Sequence, residues 1–315
     1  MTRVYGVDGH LVHDPVTGLT HLAPEPLPTG RRRADPTQVR NWPVITPDQV
    51  KRSQPTSICW TPIVRCDLRC PHCLDDTTLR EPDSTDRQRI ADVLAASGVL
   101  GVDISGGEPL LLTDLPRLAG TITAGGRAAV SVTTNGTHLA RRVDELTGVV
   151  DAVRVSLDGA APATHDRLRG PGSFTAALAG IHATLDSGIP VQIQTVLMAD
   201  NRHEAQRLID LAHDLGVTGI TFLQMLPTGA GLRLQNQMLT DVAALDLTTW
   251  LRIPDTLHVH LRTRELTGGA TTIRADGRVW RYDRHALSIT AHQPLTTPDD
   301  LTTAATTHPR REPPE

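Results

Sequence analysis

Between residues 58 and 226 the chain alternates short apolar runs, rich in Val and Ile, with longer amphipathic ones. The short runs, at 58–64, 100–105, 128–134, 152–157, 191–198 and 219–226, have the length and β-branched content of strands. The longer ones, at 84–97, 114–124, 139–146, 174–186 and 202–215, keep helical spacing. Asp83 or Ser84 is placed to cap the first helix, and Gly188 and Gly216 to close the last two. Six strand–helix units in series predict an α/β fold with a parallel sheet and right-handed crossovers. The expected form is a partial, open (β/α)6 TIM-like barrel, whose loops at the strands' C-terminal ends build the site.

The flanks break this rhythm. Residues 1–56 carry many prolines and the run Arg31-Arg32-Arg33, and read as an extended arm. A small hairpin within 4–22, turning at Asp8-Gly9, is its one regular feature; the arginines read as a solvated charge run. The barrel spans 57–231. In 232–293 the pattern predicts a helix at 241–251, a strand at 257–261 and a hairpin of 271–273 with 279–282 about Ala275-Asp276-Gly277-Arg278. Residues 294–315 are rich in Thr, Pro and charge, the composition of a disordered tail.

Composition narrows the function. A net charge of −4 argues against a nucleic-acid surface or a polybasic membrane anchor. Aromatic residues at 3% argue against stacking platforms for single strands. Lys51 is the single lysine, which disfavours pyridoxal-phosphate chemistry. No apolar run reaches the length of a membrane span, and the start lacks a signal-peptide core. Clustered cysteines, with none left to pair across the fold, fit a reducing cytoplasm.

The chemistry concentrates in Cys66-Asp67-Leu68-Arg69-Cys70-Pro71-His72-Cys73, which holds three of the four cysteines just after the first strand. Three thiolates on one loop make a soft metal site, for an iron–sulfur cluster or zinc. Structural zinc requires a fourth ligand, and no second Cys or Cys/His pair follows. A cluster held by three thiolates leaves one iron open for reaction; three free thiols are the bland alternative.

This spacing, Cys-x3-Cys-x2-Cys, resembles the signature of the radical S-adenosylmethionine (radical SAM) superfamily, and further motifs follow in order at strand ends. They are Ser105-Gly106-Gly107-Glu108-Pro109, Thr134-Asn135-Gly136, Ser156-Leu157-Asp158-Gly159 and His165-Asp166-Arg167-Leu168-Arg169-Gly170. The resemblance covers about 57–231. It implies one [4Fe–4S] cluster on Cys66, Cys70 and Cys73, with S-adenosylmethionine on the open iron. A low-potential donor of flavodoxin or ferredoxin type would reduce the cluster and cleave the sulfonium. The resulting 5′-deoxyadenosyl radical would abstract hydrogen from a substrate.

The resemblance also implies a cofactor pocket. Gly106 and Gly107 would let backbone approach the ligand, and Glu108 would accept from the methionine ammonium. Asn135 would form a wall, and Ser156 and Asp158 would meet the methionine or ribose part. Arg169, with Arg167 as its near neighbour, would pair with the methionine carboxylate. His72 would bring its backbone to the adenine. Against these stand plain structural readings: a turn begun by Pro109, turn residues at Asn135, and a cap at Asp158.

Gln192 and Gln194 share a strand face, and Gln224 could join them inside the barrel or in a buried amide network. Cys59 is an inert core thiol or a hydrogen-atom donor. The 269–279 stretch resembles the hairpin of SPASM/twitch extensions. The absence of any cysteine after Cys73 excludes an auxiliary thiolate cluster, so the remnant would cover the barrel and shape its cavity. The substrate expected on this resemblance is a ribosomally synthesised peptide in natural-product maturation. The alternatives are a small metabolite (sugar, nucleoside or amino acid) and a non-catalytic iron–sulfur protein.

Overall fold

The computed structural model describes residues 2–46, 49–50, 52–74, 77–263, 270–282 and 289–302. It opens with a long hairpin, β1 (Arg3–His13) and β2 (Thr20–Ala34), paired antiparallel from Arg3↔Ala34 to His13↔Thr20. The turn lies at 14–19, not at Asp8-Gly9. There Asp14 accepts from the Val16 amide at 2.8 Å and the Thr17 hydroxyl at 3.0 Å, and Gly18 takes φ +72°. Gly9 sits instead beside register shifts between Val7 and Leu11. Three of the prolines that read as an arm fall within β2, where Pro24 and Pro26 lie opposite that irregularity and need donate to no ladder. Helix α1 (Pro36–Arg40) and strand β3 (Val44–Ile45) follow, β3 pairing with the start of β2. Tyr5, Val7, Val12, Ala23 and Val39 give this segment a small core of its own.

From β4 (Ser57–Trp60) the predicted alternation appears: α2 (Ser84–Ala96), β5 (Gly101–Ile104), α3 (Leu115–Ala124), β6 (Ala129–Thr134), α4 (Leu139–Leu146) and β7 (Ala152–Ser156). Then come α5 (Pro162–Arg169), α6 (Ser173–Asp186), β8 (Val191–Leu197), α7 (Ala205–Asp214) and β9 (Gly219–Gln224). Asp83 caps α2, accepting from the amides of Thr85 and Asp86. Helix α5 was not marked by apolar spacing. It begins on Pro162 and stops at Gly170, φ +125°.

The C-terminal segment adds α8 (Asp241–Trp250), β10 (His258–Arg262), β11 (Thr271–Ile273), β12 (Arg278–Tyr282) and β13 (Ile289–Pro294). Strand β10 pairs parallel with β9, and β11 parallel with β4. The six-unit sheet is thus extended to the parallel order β10-β9-β8-β7-β6-β5-β4-β11, with β12 and β13 continuing antiparallel beyond it. β10 and β11 are not paired among the described residues, so the sheet stays open. The expected 271–282 hairpin forms, but these strands lengthen the sheet instead of lying over it. Nor is 294–302 a loose tail: Leu295 and Leu301 are buried, and Asp300 and Thr297 form a capping box on the turn Pro298–Leu301. Residues 303–315 and Gly269 lie outside the described residues. No helix among the described residues is long and apolar enough to cross a membrane.

Strand parity sorts the side chains. Ile58 and Trp60, Val102 and Ile104, Val130 and Val132, Val153 and Val155 pack beneath the helices. The opposite parity faces the barrel interior and is polar, as at Asp103, Ser131 and Thr133, and Arg154. The hairpin closes the bottom of this interior. Arg154 donates to the carbonyls of Pro15 at 2.6 Å and Val16 at 3.1 Å, and pairs with Asp103 at 3.2 Å. Arg31, expected in solvent, instead pairs with Asp151 at 2.6 Å beneath β7. Replacing Arg154 with leucine should cost about 3 kcal/mol, since it removes the counter-charge of Asp103 and leaves two buried carbonyls without a donor. Arg32→Ala, removing only exposed bonds to its own strand, should change stability by under about 0.5 kcal/mol. Denaturant midpoints of the two variants check this.

Candidate functional site

The cysteine loop leaves β4 and crosses the C-terminal ends of the strands before α2. Burial pushes the Cys66 thiol up to about 12, against a hydrogen bond from the Leu68 amide at 3.4 Å. Burial likewise raises Cys70, while the nearby Arg169 guanidinium pulls it down. Cys66 feels Cys70, and Cys70 feels Cys73, so the three thiols share one field. Among the described residues no three His, Cys, Asp or Glu side chains converge tightly enough to hold a single metal ion. A cubane spreads its thiolates over separate iron corners, so this donor set of three soft ligands beside a cation fits it better than zinc.

Two loops fix this one. The Gly107 amide donates to the Ile63 carbonyl and the Glu108 amide to that of Arg65, both at 2.9 Å. Gly106 holds φ +127°, and a Cβ on Gly107 would be driven into the carbonyl oxygens of Val64 and Arg65. The glycines therefore make room for the cysteine loop's own backbone. Glu108 is 0% exposed. It accepts from the Thr134 hydroxyl at 2.7 Å, the Asn135 amide at 2.8 Å and the Leu110 amide at 3.0 Å. Burial outweighs these donors and raises its carboxyl to about 7.

Asn135 reaches onward, its side-chain amide donating to Asp67 at 2.8 Å and lying 3.9 Å from the Cys66 sulfur. Asp67 also accepts from the Thr137 hydroxyl at 2.6 Å and stands 3.2 Å from His138 Nε2. Burial works to raise the Asp67 carboxyl, but the bonds from Thr137 and Asn135 prevail and hold it below its ordinary value. Asp67, Thr137 and His138 were not singled out from the sequence. An acid directly after the first cysteine, and hydroxyl and imidazole directly after Asn135-Gly136, were the available signal.

On the other side Asp158, also 0% exposed, is a hub. It accepts from Arg169 Nε at 2.6 Å and the Val196 amide at 2.8 Å, and meets His72 Nε2 at 3.0 Å. Its amide donates to His165 Nδ1 at 3.1 Å, and its carbonyl accepts from Asn201, buried and unforeseen, at 3.0 Å. Burial works to raise Asp158, but Arg169 and then His72 hold it well below the carboxylate range. Buried His72 Nδ1 has no hydrogen-bond partner among the described residues, a nitrogen left for a ligand.

The structure corrects several expectations. Glu108 and Asp158 are fully buried, and their carboxylates accept from neighbouring loops and strands. Arg167 pairs loosely with Asp200 at the surface, whereas the Arg169 side chain, only 10% exposed, lies beside Cys70 and Cys73. Gln192 donates to Thr221 at 2.9 Å inside the barrel, but Gln224 has the parity of Ile220 and Phe222 and donates to the Leu239 carbonyl, so it does not join Gln192 and Gln194. Ser156 ends β7 on the inward parity, and Cys59 lies half-buried in register with Asp103.

Residues 60–212 match the model of the Radical SAM superfamily. That stretch is a radical SAM domain. Radical SAM proteins use a [4Fe–4S] cluster and S-adenosylmethionine. The AdoMet-dependent heme synthase of Methanosarcina barkeri is 34% identical over 56% of this chain and 52% of its own length. The PqqA peptide cyclase of Streptomyces rochei is 36% identical over 58% of this chain and 51% of its own. The chain thus spans about half the length of these curated relatives. The fold is shared with Streptococcus suis SuiB, solved with the precursor peptide SuiA: TM-score 0.61, 15% identity, 72% of this chain and 59% of that one.

Gly107→Ala should leave the barrel folded but abolish stable iron uptake, because the loop can no longer seat on 63–65; iron content per chain after anaerobic loading reads this. Cys66 and Cys70 hold their protons at neutral pH, so loading must release them. Iron affinity should therefore fall by about tenfold per thiol for each unit the pH is lowered, which a chelator-competition series against pH, with an indicator dye for released protons, measures.

Proposed function

We propose that the chain is a radical SAM enzyme that holds one [4Fe–4S] cluster through Cys66, Cys70 and Cys73 and acts on a ribosomally made peptide. The observation that carries this is the clamping of three mutually interacting thiols at the barrel mouth, beside the Arg169–Asp158–His72 cluster. When bound and reduced, the cluster supplies one electron for cleavage of S-adenosylmethionine into methionine and a hydrogen-abstracting 5′-deoxyadenosyl radical.

The chain's own residues do the rest. Arg169 keeps a positive charge next to Cys70 and Cys73, and its N–H groups beyond Nε would receive the methionine carboxylate. Asp158 keeps that guanidinium oriented and holds His72, whose bare Nδ1 offers a hydrogen-bond site towards the cofactor. Ser156 at the end of β7, and the backbone of Gly106 and Gly107 after β5, would complete the cofactor pocket. Asn135 fixes Asp67 and with it Cys66. The peptide reading is supported by the similarity to a peptide cyclase over 58% of the chain. The similarity to a heme synthase favours a second reading, the same chemistry on a small metabolite. A low-potential donor of flavodoxin or ferredoxin type is proposed as the reductant.

Anaerobically reconstituted protein given S-adenosylmethionine and dithionite should form 5′-deoxyadenosine, and alanine at any one of Cys66, Cys70 or Cys73 should reduce it to background. A four-iron spectrum without any 5′-deoxyadenosine would favour a non-catalytic iron–sulfur protein.

A further inference from the structure

Small parallel barrels of this kind ordinarily fill their interior with layers of Val, Ile and Leu. This one does not. Across β4, β5 and β6 the inward positions in register are Cys59, Asp103 and Ser131. On β7 and β8 they are Arg154 and Gln192, and on β9 and β10 Thr221 and His260. Arg262, two residues beyond His260, keeps the same face, because Val259 and Leu261 between them pack with Ile220 and Phe222 in the main core. Deep in this lumen the polar groups largely satisfy one another, Gln192 donating to Thr221 and Arg154 pairing with Asp103, so what can still recruit a polar ligand is whatever charge they leave unmatched nearer the mouth.

The charges in the chamber are unequal. Asp103 is matched: Arg154 lies 3.2 Å away, and the hydroxyls of Ser131 and Thr133 donate to it at 2.7 and 2.9 Å. Arg154 is itself fixed to the floor through Pro15 and Val16. Arg262 has no ion-pair partner among the described residues, although it is only partly exposed. Burial, and then Arg154, lower its pKa, while Asp103 and Cys59 pull the other way, as befits a cation short of counter-charge near those groups. His260 adds no charge at neutral pH, because burial and Arg262 push it down to about 4.

We infer that Arg262 binds a carboxylate of the substrate inside the barrel, with Arg154 adding to the positive field behind it. The inference rests on the proposed function for its substrate, an acidic residue or terminus of the peptide. A guanidinium fork receives a carboxylate through two parallel bonds, which sets orientation as well as charge. This would present one end of the substrate below the mouth where the cysteines sit.

Cys59, in the same chamber, reports on it. The holoprotein is treated with iodoacetate or its neutral analogue iodoacetamide, and alkylation of the Cys59 peptide is followed by mass spectrometry. The readout does not require turnover or S-adenosylmethionine, so it can fail while 5′-deoxyadenosine still forms, or succeed when none does. The iodoacetate-to-iodoacetamide rate ratio should exceed that of the urea-unfolded chain by on the order of tenfold. It should fall to the unfolded ratio in Arg262→Gln and be largely kept in Arg262→Lys. A folded ratio equal to the unfolded one, or an enhancement that Arg262→Gln leaves intact, overturns the inference. Should Arg262→Gln not fold by circular dichroism, wild-type protection decides. Acetyl-Gly-Glu-Gly-amide should slow Cys59 alkylation by iodoacetamide, and the Gln counterpart should not. Protection by succinate but not by the Glu peptide keeps the carboxylate site and removes the peptide from it; equal protection by the Glu and Gln peptides overturns the site.

Discussion

A loop without ladder hydrogen bonds takes its shape from its neighbours, and the cysteine loop takes its shape from carboxylates. Glu108 ties the turn after β5 to the end of β6, Asp67 ties the loop itself to the residues after β6, and Asp158 ties His72 to Arg169. Each acid accepts at least two donors, because an unpaired carboxylate in that setting would be prohibitively desolvated. The balance differs among them. Burial prevails at Glu108, whereas opposite charge prevails at Asp158. The first serves as a neutralisable joint between strands, the second as a fixed negative charge beneath a cation.

That arrangement explains why the motifs are acids, and why a sequence pattern alone does not show which partners they take. The Gly106-Gly107-Glu108 pattern announces a close approach and an acid at a strand end, but not what is approached. Here the close partner is the backbone of 63–65. Whether an acid faces a ligand or a neighbouring loop depends on packing between segments tens of residues apart, which no local pattern records. By contrast the barrel strands were legible, because alternating burial imposes a period that survives in the residues themselves. Parity alone would have kept Gln224 off the inner face, since it shares the register of Ile220 and Phe222.

The flanks were harder for two different reasons. Strand β2 contains prolines that ordinarily exclude a strand, and only the register shift opposite them makes the pairing tolerable. Strands β10 and β11 were visible as short elements, but their parallel partners β9 and β4 could not be inferred. For β11 the partner lies more than 200 residues earlier. Such pairing leaves no turn signature, unlike a hairpin.

The N-terminal hairpin and the polar lumen answer each other. A barrel packed with branched aliphatics needs no floor, because its own side chains exclude water. One lined by Asp103, Arg154 and Arg262 would be open from below unless another element closed it. The 14–19 turn does so by presenting carbonyl oxygens, the one backbone group that can satisfy a buried guanidinium without bringing in a second net charge. Arg154 can then neutralise Asp103 with each of its three nitrogens still engaged. The positive charge left over is that of Arg262, nearer the mouth. The turn of the N-terminal hairpin, by satisfying Arg154, thus leaves Arg262 as the surplus charge.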